Sequence, residues 1–384
     1  MTSRQRCGNI FLGVLVAILF ALPPMPSRAM AGETEEPIKI GAIFALSGKA
    51  KNSNNSAVLG VRLAVEEINA AGGLLGRPIE MLLLDNESTP IGSHLAAEAA
   101  NRAGVAAIIG ASWSSHSLAI AKVAEQHRIP MVSPISTIPS LTAGGEHIFR
   151  VCYTDTLQGA TIARFAHQEL HARSALLFVD ISSDFSLNIA QIFKNTFTEL
   201  GGTTRLEIEY KTGQTDFSVQ IRQALGAESD VVFLAGYDES GYIAAKLQEA
   251  GLRAIPLGSD GWDAESFYTL GGNAIRLGYY INHWFPGHDD QSSQDFLARY
   301  GKRGEIKAPT VLAYDAVKVV AAAIGNTASA DRREIRRGLG ELRDYPGVTG
   351  KISFDAQGDA IKTACIIEIR DGKPHHHSHY PQQP

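Results

Sequence analysis

Ile38-Lys-Ile-Gly-Ala-Ile-Phe-Ala-Leu46 is an apolar run of strand length, and the residues after it change period. From Ser56 onward Val58, Val61, Val65 and Ile68 recur at helical spacing, until Gly72-Gly73 stops the helix. Working outward, strands are expected at 79–84, 105–109 and 129–132, with helices at 94–103 and 115–127 between them. Strands that alternate with helices in this way predict a parallel, doubly wound sheet.

The rhythm restarts after Arg150. Helices at 156–170, 187–200, 217–225 and 240–250 alternate with strands at 175–179, 206–210, 231–235 and 255–258. A strand at 278–285 leads to helices at 293–300, 310–324 and 331–342, and strands at 351–354 and 364–369 close the pattern. The expected fold class is α/β, with two doubly wound, Rossmann-like lobes in one chain. Helix-rich sequence near 290–342 returns after the second lobe, so each lobe takes non-contiguous segments across a multi-strand hinge. The expected division is 38–154 with 287–345 for the first lobe, and 155–286 with 346–374 for the second.

Composition agrees with a core-forming protein: 384 residues suit two domains, and 45% hydrophobic against 20% charged excludes a disordered chain. The net charge is −5 and no cluster of five Lys or Arg occurs, so a nucleic-acid partner is not expected. Arg4 and Arg6 precede an apolar stretch at 10–22, too short for the roughly 20 residues of a membrane span. Pro23, Pro24 and Pro26 follow, then Ala29-Met30-Ala31. This reads as a cleavable signal peptide, residues 1–31, cut after Ala31; an uncleaved anchor is the alternative. Cleavage removes three basic residues and takes the charge from −5 to −8. No later apolar run approaches 18 residues. Cys152 and Cys365 remain in strand-like stretches, read as two separate buried thiols ahead of a disulfide.

Ligands of open parallel sheets bind beyond the carboxyl ends of the strands, where helix N-termini present their N–H groups. In the first lobe those ends offer hydroxyls: the polar loop 47–56, Ser114 and Ser115 at cap and first-turn positions, and Ser133-Pro-Ile-Ser-Thr137. In the second lobe they offer 180–185, Gly236-Tyr237-Asp238 and Gly258-Ser-Asp-Gly-Trp262. Hydroxyls and helix N-termini suit a carboxylate, whereas Asp260, with Asp238 as a further candidate, suits an ammonium group beside aromatics. A zwitterion held between the lobes satisfies both; ordinary caps and turns are the competing reading.

Several blocks carry a family likeness. Gly41-Ala-Ile-Phe-Ala-Leu-Ser-Gly48 and Gly60-Val-Arg-Leu-Ala-Val-Glu-Glu-Ile-Asn-Ala-Ala-Gly-Gly-Leu-Leu-Gly-Arg77 strongly resemble the periplasmic leucine/isoleucine/valine-binding protein family. Ile129-Pro-Met-Val-Ser-Pro134, Phe149-Arg150, Gly258-Ser-Asp-Gly261 and Gly350-Lys-Ile-Ser-Phe-Asp355 continue the likeness to about Lys373. The resemblance implies a type I periplasmic binding fold and a monomeric substrate-binding protein of an ABC importer. Its partners would be the permease subunits and a small-molecule ligand, with no cofactor and no metal. It implies a periplasmic location. It places the carboxylate-binding serine at Ser114 and the next loop's contacts at Ile135, through its carbonyl, and Thr137. The second-lobe tyrosine falls at Tyr237 and the ammonium-pairing acid at Asp260. Three positions depart from the family pattern. A tyrosine is Phe185 here, a first-loop aromatic falls near Ser53, and the acid is Asp rather than Glu. Trp113 and Trp262 flank the anchors. These changes keep an amino-acid head group and leave its side chain open, with amides and aromatic acids, or a ligand-sensing receptor of the same fold, as the alternative.

No catalytic motif competes. G-x-G-x-x-G, a Walker loop and H-E-x-x-H do not occur, and Gly110-Ala-Ser-Trp-Ser114 lacks the closing glycine of a nucleophile elbow. The protein is not expected to be an enzyme. His167 and His171 read as a solvated helix face. His375-His-His-Ser-His379 reads as part of a disordered tail, 375–384, ahead of a transition-metal chelator.

Overall fold

The computed structural model describes residues 36–286 and 290–380; the expected signal peptide and the last four residues lie outside the described residues. The first lobe begins with β1 (Ile38–Phe44), α1 (Lys51–Ala70), β2 (Ile79–Asp85), α2 (Pro90–Arg102) and β3 (Ala107–Gly110). It continues with α3 (Ser114–Gln126), β4 (Met131–Ser133) and β5 (Ile148–Arg150). These five strands form one parallel sheet in the order β2-β1-β3-β4-β5. Helix α1 starts five residues before its apolar period does. The Asn54 side chain accepts from the Ala45 N–H (3.2 Å) and donates to the Ala50 carbonyl (2.9 Å), which holds that polar first turn.

The second lobe runs through α4 (Asp155–Gln168), β6 (Ser174–Asp180), α5 (Asp184–Glu199), β7 (Thr203–Tyr210) and α6 (Ser218–Leu225). It goes on with β8 (Val231–Ala235), α7 (Glu239–Glu249), β9 (Ile255–Gly258), α8 (Glu265–Leu270) and β10 (Leu277–Asn282). The chain then returns to the first lobe with α9 (Gln291–Tyr300), α10 (Ala308–Thr327), α11 (Arg332–Gly340) and a hairpin of β11 (Tyr345–Gly347) and β12 (Gly350–Ile352). Finally β13 (Ala364–Arg370) and β14 (Lys373–Tyr380) add two antiparallel strands to the second sheet, ordered β14-β13-β10-β9-β8-β6-β7.

Two expectations need correction. The expected second-lobe segment 346–374 joins that lobe only from Ala364, because Val348, Ile352, Phe354 and Ala360 are buried in the first-lobe core. The reason lies on α10. Buried Asp315 accepts from the Val348 N–H (2.8 Å), the Thr349 N–H (3.0 Å) and the Thr349 hydroxyl (2.6 Å), tying the hairpin to that helix. The His-rich run, expected as disordered tail, is edge strand β14 as far as Tyr380; backbone pairing with apolar β13 holds a polar sequence extended. The chain passes from first-lobe to second-lobe core between Cys152 and Tyr153, and back between Ile281 and Trp284. It crosses once more between Ala360 and Ala364. Cys152 and Cys365 are free and buried, one in each lobe.

Helix α10 is long and apolar enough to cross a membrane, yet it is mostly buried inside this protein. It packs on α1 at Gly60, where an added Cβ would lie 2.0 Å from the Thr310 carbonyl oxygen. The rest of the Gly60–Arg77 block has equally local reasons. The Asn69 amide clamps Ile79, donating to its carbonyl (2.9 Å) and accepting from its N–H (2.7 Å). Gly73 turns the chain at φ +79, with the Arg77 carbonyl too close for any side chain. Glu67 accepts from Tyr300 (2.5 Å) and Tyr314 (2.8 Å) hydroxyls, Arg299 (2.8 Å) and Lys318 (3.0 Å), so α1, α9 and α10 meet at one carboxylate.

A second junction is Arg150, whose side chain is fully buried. Its guanidinium donates to the carbonyls of Ser136 (3.0 Å) and Ile138 (2.8 Å), to the Thr142 hydroxyl (2.8 Å) and to the Asp359 carboxylate (2.5 Å). Substituting Arg150→Ala leaves two of these acceptors, the Ser136 carbonyl and the Thr142 hydroxyl, without a strong donor, and leaves Asp359 without its cation. We expect a loss of about 3 kcal/mol or more, read by urea unfolding.

Burial alone would raise the Glu67 carboxyl, but hydrogen bonds from Tyr300, Tyr314 and Lys318 outweigh it and hold the group at about 2 against an ordinary 4.5. A depressed acid contributes stability that is full above its unfolded value and disappears as pH falls through its folded one. Wild type should therefore exceed Glu67→Gln in melting temperature at neutral pH, with the gap closing between about 4.5 and about 2. A gap that stays constant across that window would show the carboxylate charge to be irrelevant.

Candidate functional site

The carboxyl ends of both parallel sheets face one cleft between the lobes. All eight residues expected from the sequence line it: Ser53, Trp113, Ser114, Ile135, Thr137, Phe185, Tyr237 and Asp260. The cleft encloses about 450 Å³ of space outside atoms, open solvent included. Ser53 comes from the first turn of α1, its hydroxyl donating to the Ala50 carbonyl (3.0 Å). Trp113 is the cap residue of α3, so Ser114 is that helix's first residue rather than its cap. The first N–H groups of a helix have no intrahelical acceptor, and here they stand at the cleft beside the Ser114 hydroxyl. Ile135 and Thr137 lie in the loop after β4 that Arg150 grips through Ser136 and Ile138.

In the second lobe, Phe185 sits in the first turn of α5, behind the Ser183 cap. Tyr237 follows β8, and its N–H donates to the Glu239 carboxylate (3.1 Å), which also accepts from the Tyr210 hydroxyl (2.6 Å). Burial pushes Glu239 up to about 7. Aromatic rings then form a column across the cleft. Trp113 of the first lobe stacks on Tyr237 of the second at 4.7 Å and 7°, and Tyr237 stacks on Phe185 at 4.9 Å and 23°. His116 extends the column behind Trp113 at 5.3 Å; its burial, with Lys49 adding to it, lowers its pKa to about 4 and keeps the ring neutral.

Asp260 opens the short turn after β9 and is held from two sides. Its N–H donates to the Gln158 side-chain oxygen (2.8 Å), and its carboxylate meets His283 Nε2 (2.9 Å). The His283 ring in turn stacks on Tyr153 at 3.7 Å. Beneath this pair lies Asp155, whose N–H donates to the Thr137 carbonyl (2.8 Å) and whose carboxylate accepts from Asn188 (2.8 Å). Burial, reinforced by the Asp260 charge, pushes Asp155 up to about 7 against hydrogen bonds from Thr137 and Asn188. The lobes also touch at Asp263, whose carboxylate accepts from the Ala308 N–H at the start of α10 (2.8 Å). The second-lobe wall of the cleft is thus rich in carboxylates, and the first-lobe wall in hydroxyls and N–H groups.

Some of the site escapes sequence reasoning. Asp263, Ala264 and Pro309 line the cleft without a signal in the sequence, whereas Ser112 and Gly261 line it from strand-end loops that the sequence points to. The Ser112 hydroxyl is buried with no hydrogen-bond partner. Pro309 could not have been found locally, because it arrives with α10 from the far end of the sequence. His283, Gln158 and Asp155 act from behind the wall, where no motif signals them. Two flanking residues do not join: Trp262 is fully buried in the second-lobe core, stacked on Phe267, and Asp238 does not line the cleft. Among the described residues no group of three or more His, Cys, Asp or Glu is arranged to hold a metal.

A family profile described as periplasmic binding protein matches residues 37–373. A Leu/Ile/Val-binding protein homolog of Brucella melitensis is 26% identical over 341 residues, covering 88% of this chain and 92% of the relative. The crystal structure of a leucine-binding protein from Thermotoga maritima is 32% identical with a TM-score of 0.86, covering 90% of this chain and 99% of that one. A branched-chain amino acid transporter substrate-binding protein from Streptococcus pneumoniae, in complex with isoleucine, is 28% identical with a TM-score of 0.84. It covers 91% and 100% of the two chains. Lobe architecture, cleft and the match along nearly the whole described sequence agree: the chain belongs to the periplasmic binding protein family, in its leucine/isoleucine/valine-binding branch.

Proposed function

We propose that this chain is the substrate-binding protein of an ABC importer and takes an L-amino acid, branched-chain or related, in the cleft between its lobes. The observation that carries this reading is the division of charge across the cleft. Ser114, Thr137 and the start of α3 face Asp260, with the aromatic column beside them. The first set accepts a carboxylate, the second an ammonium group, and the rings cover an apolar side chain. Relatives named for leucine, isoleucine and valine support the same class of ligand.

The mechanism is a population shift. The anchors are divided between lobes, so a ligand gains its full set of contacts only when the hinge is closed, and binding favours that state. The work is recognition rather than bond chemistry. The signal peptide, cut after Ala31, delivers the protein to the periplasm, where as a monomer it presents the closed form to permease subunits.

Calorimetry of the ligand-stripped protein against the L-amino acids, with short amides and benzoate as controls, tests this directly. We expect micromolar or tighter binding of an L-amino acid, on the order of −8 kcal/mol. Hydrogen bonds to charged groups contribute roughly 1.5–3 kcal/mol each, so Ser114→Ala and Asp260→Ala should each weaken it by about tenfold or more. Full affinity in both variants overturns the site, and binding of amides or aromatic acids alone overturns the ligand.

His283 should act through Asp260. His283→Ala leaves that buried carboxylate without its partner and opens space under Tyr153, which should lower stability by about 1–3 kcal/mol. His283→Gln, which keeps a donor, should recover part of that loss in thermal unfolding.

A further inference from the structure

We infer that edge strand β14 carries a surface site for a divalent transition cation of the nickel, copper or zinc type, held by His376 and His379. Along a regular strand, residues three apart point to opposite faces. Here the register with β13 slips between Ile366 and Ile367, and one residue of β14, His377, has no partner opposite. The bulge restores the parity: His376 stands opposite Ile367 and His379 opposite Cys365. Ile367 and Cys365 belong to the same core face of the sheet. His376 and His379 therefore share one face, with ring centroids 4.3 Å apart and planes inclined at 39°. Both are exposed.

The other histidines of the run are divided from this pair. His375 lies opposite Glu368, on the alternate face. His377 packs edge-on against Phe165 (5.4 Å) and reaches the Glu169 carboxylate at 3.5 Å. What reads in the sequence as one tract is two different surfaces in the fold. Two imidazoles side by side can each give a nitrogen to one cation at about 2.0–2.1 Å, with waters completing the shell. Imidazole pairs favour nickel, copper and zinc over magnesium and calcium. Asp290 lines the same depression as His379. With two protein ligands the site is exchangeable rather than structural, so the fold does not depend on it.

The test is calorimetric titration of the chelator-stripped full chain with nickel chloride and with zinc chloride, at about pH 8, where imidazole is neutral. Two double variants are compared: H376N/H379N and H375N/H377N. We expect one cation per chain with micromolar affinity, a loss of about tenfold or more in the first variant, and little change in the second. Equal losses in both would mean that the run binds as a flexible polyhistidine tract, which overturns the proposal. So would a parent that binds neither cation at about 1 mM. Copper electron paramagnetic resonance of the parent gives a reading that needs no variant to fold: two imidazole nitrogens support the site, and one or none overturns it. These outcomes leave the amino-acid cleft untouched, because neither variant alters a residue lining it.

Discussion

A buried guanidinium needs every one of its donors answered, and at Arg150 that requirement organises the binding face of the first lobe. The loop after β4 contributes Ile135 and Thr137 to the cleft, but it has little regular structure of its own. Its shape comes from turning the Ser136 and Ile138 carbonyls inward onto Arg150. The same side chain takes Asp359 from the third passage between the lobes, 209 residues along the chain. One charge therefore couples the geometry of the loop after β4 to the segment that leads into the third crossing.

The second lobe faces the opposite problem, because it gathers carboxylates. Asp260 and Asp155 are close enough for one charge to raise the other, and burial removes the water that would screen them. Asn188 and Gln158 offset this by donating side-chain N–H groups to Asp155, and His283 Nε2 meets the Asp260 carboxylate. What remains is a wall on which Asp260 and Asp263 line the cleft with Asp155 behind them. The Trp113–Tyr237 stack adds a contact between lobes that is neutral in charge and has a defined geometry.

Lobe 1 also shows how a block of sequence can be diagnostic for reasons that are entirely mechanical. Within Gly60–Arg77, Gly60 admits α10, Glu67 collects three helices, Asn69 clamps β2 and Gly73 makes the turn. None of these residues touches the cleft. They fix α1, whose first turn brings Ser53 there.

Periodicity and turn residues are local, so the alternating strands and helices, the two lobes and the loops at the strand ends are legible in the residues alone. With the family likeness the eight cleft residues are legible too. Where a decision depended on partners distant in the chain, only the tertiary structure made it. The hairpin at 345–352 belongs to the first lobe because Asp315 binds it. Trp262 faces the core rather than the cleft, and the histidines after Lys373 form a strand because β13 offers them a pairing edge. His283 reaches the site from a segment that crosses between the lobes, and Pro309 from the start of α10, far along the chain. Hydrophobic pattern reports which face of an element is buried; it carries no information about which distant backbone will supply the other half of a hydrogen bond.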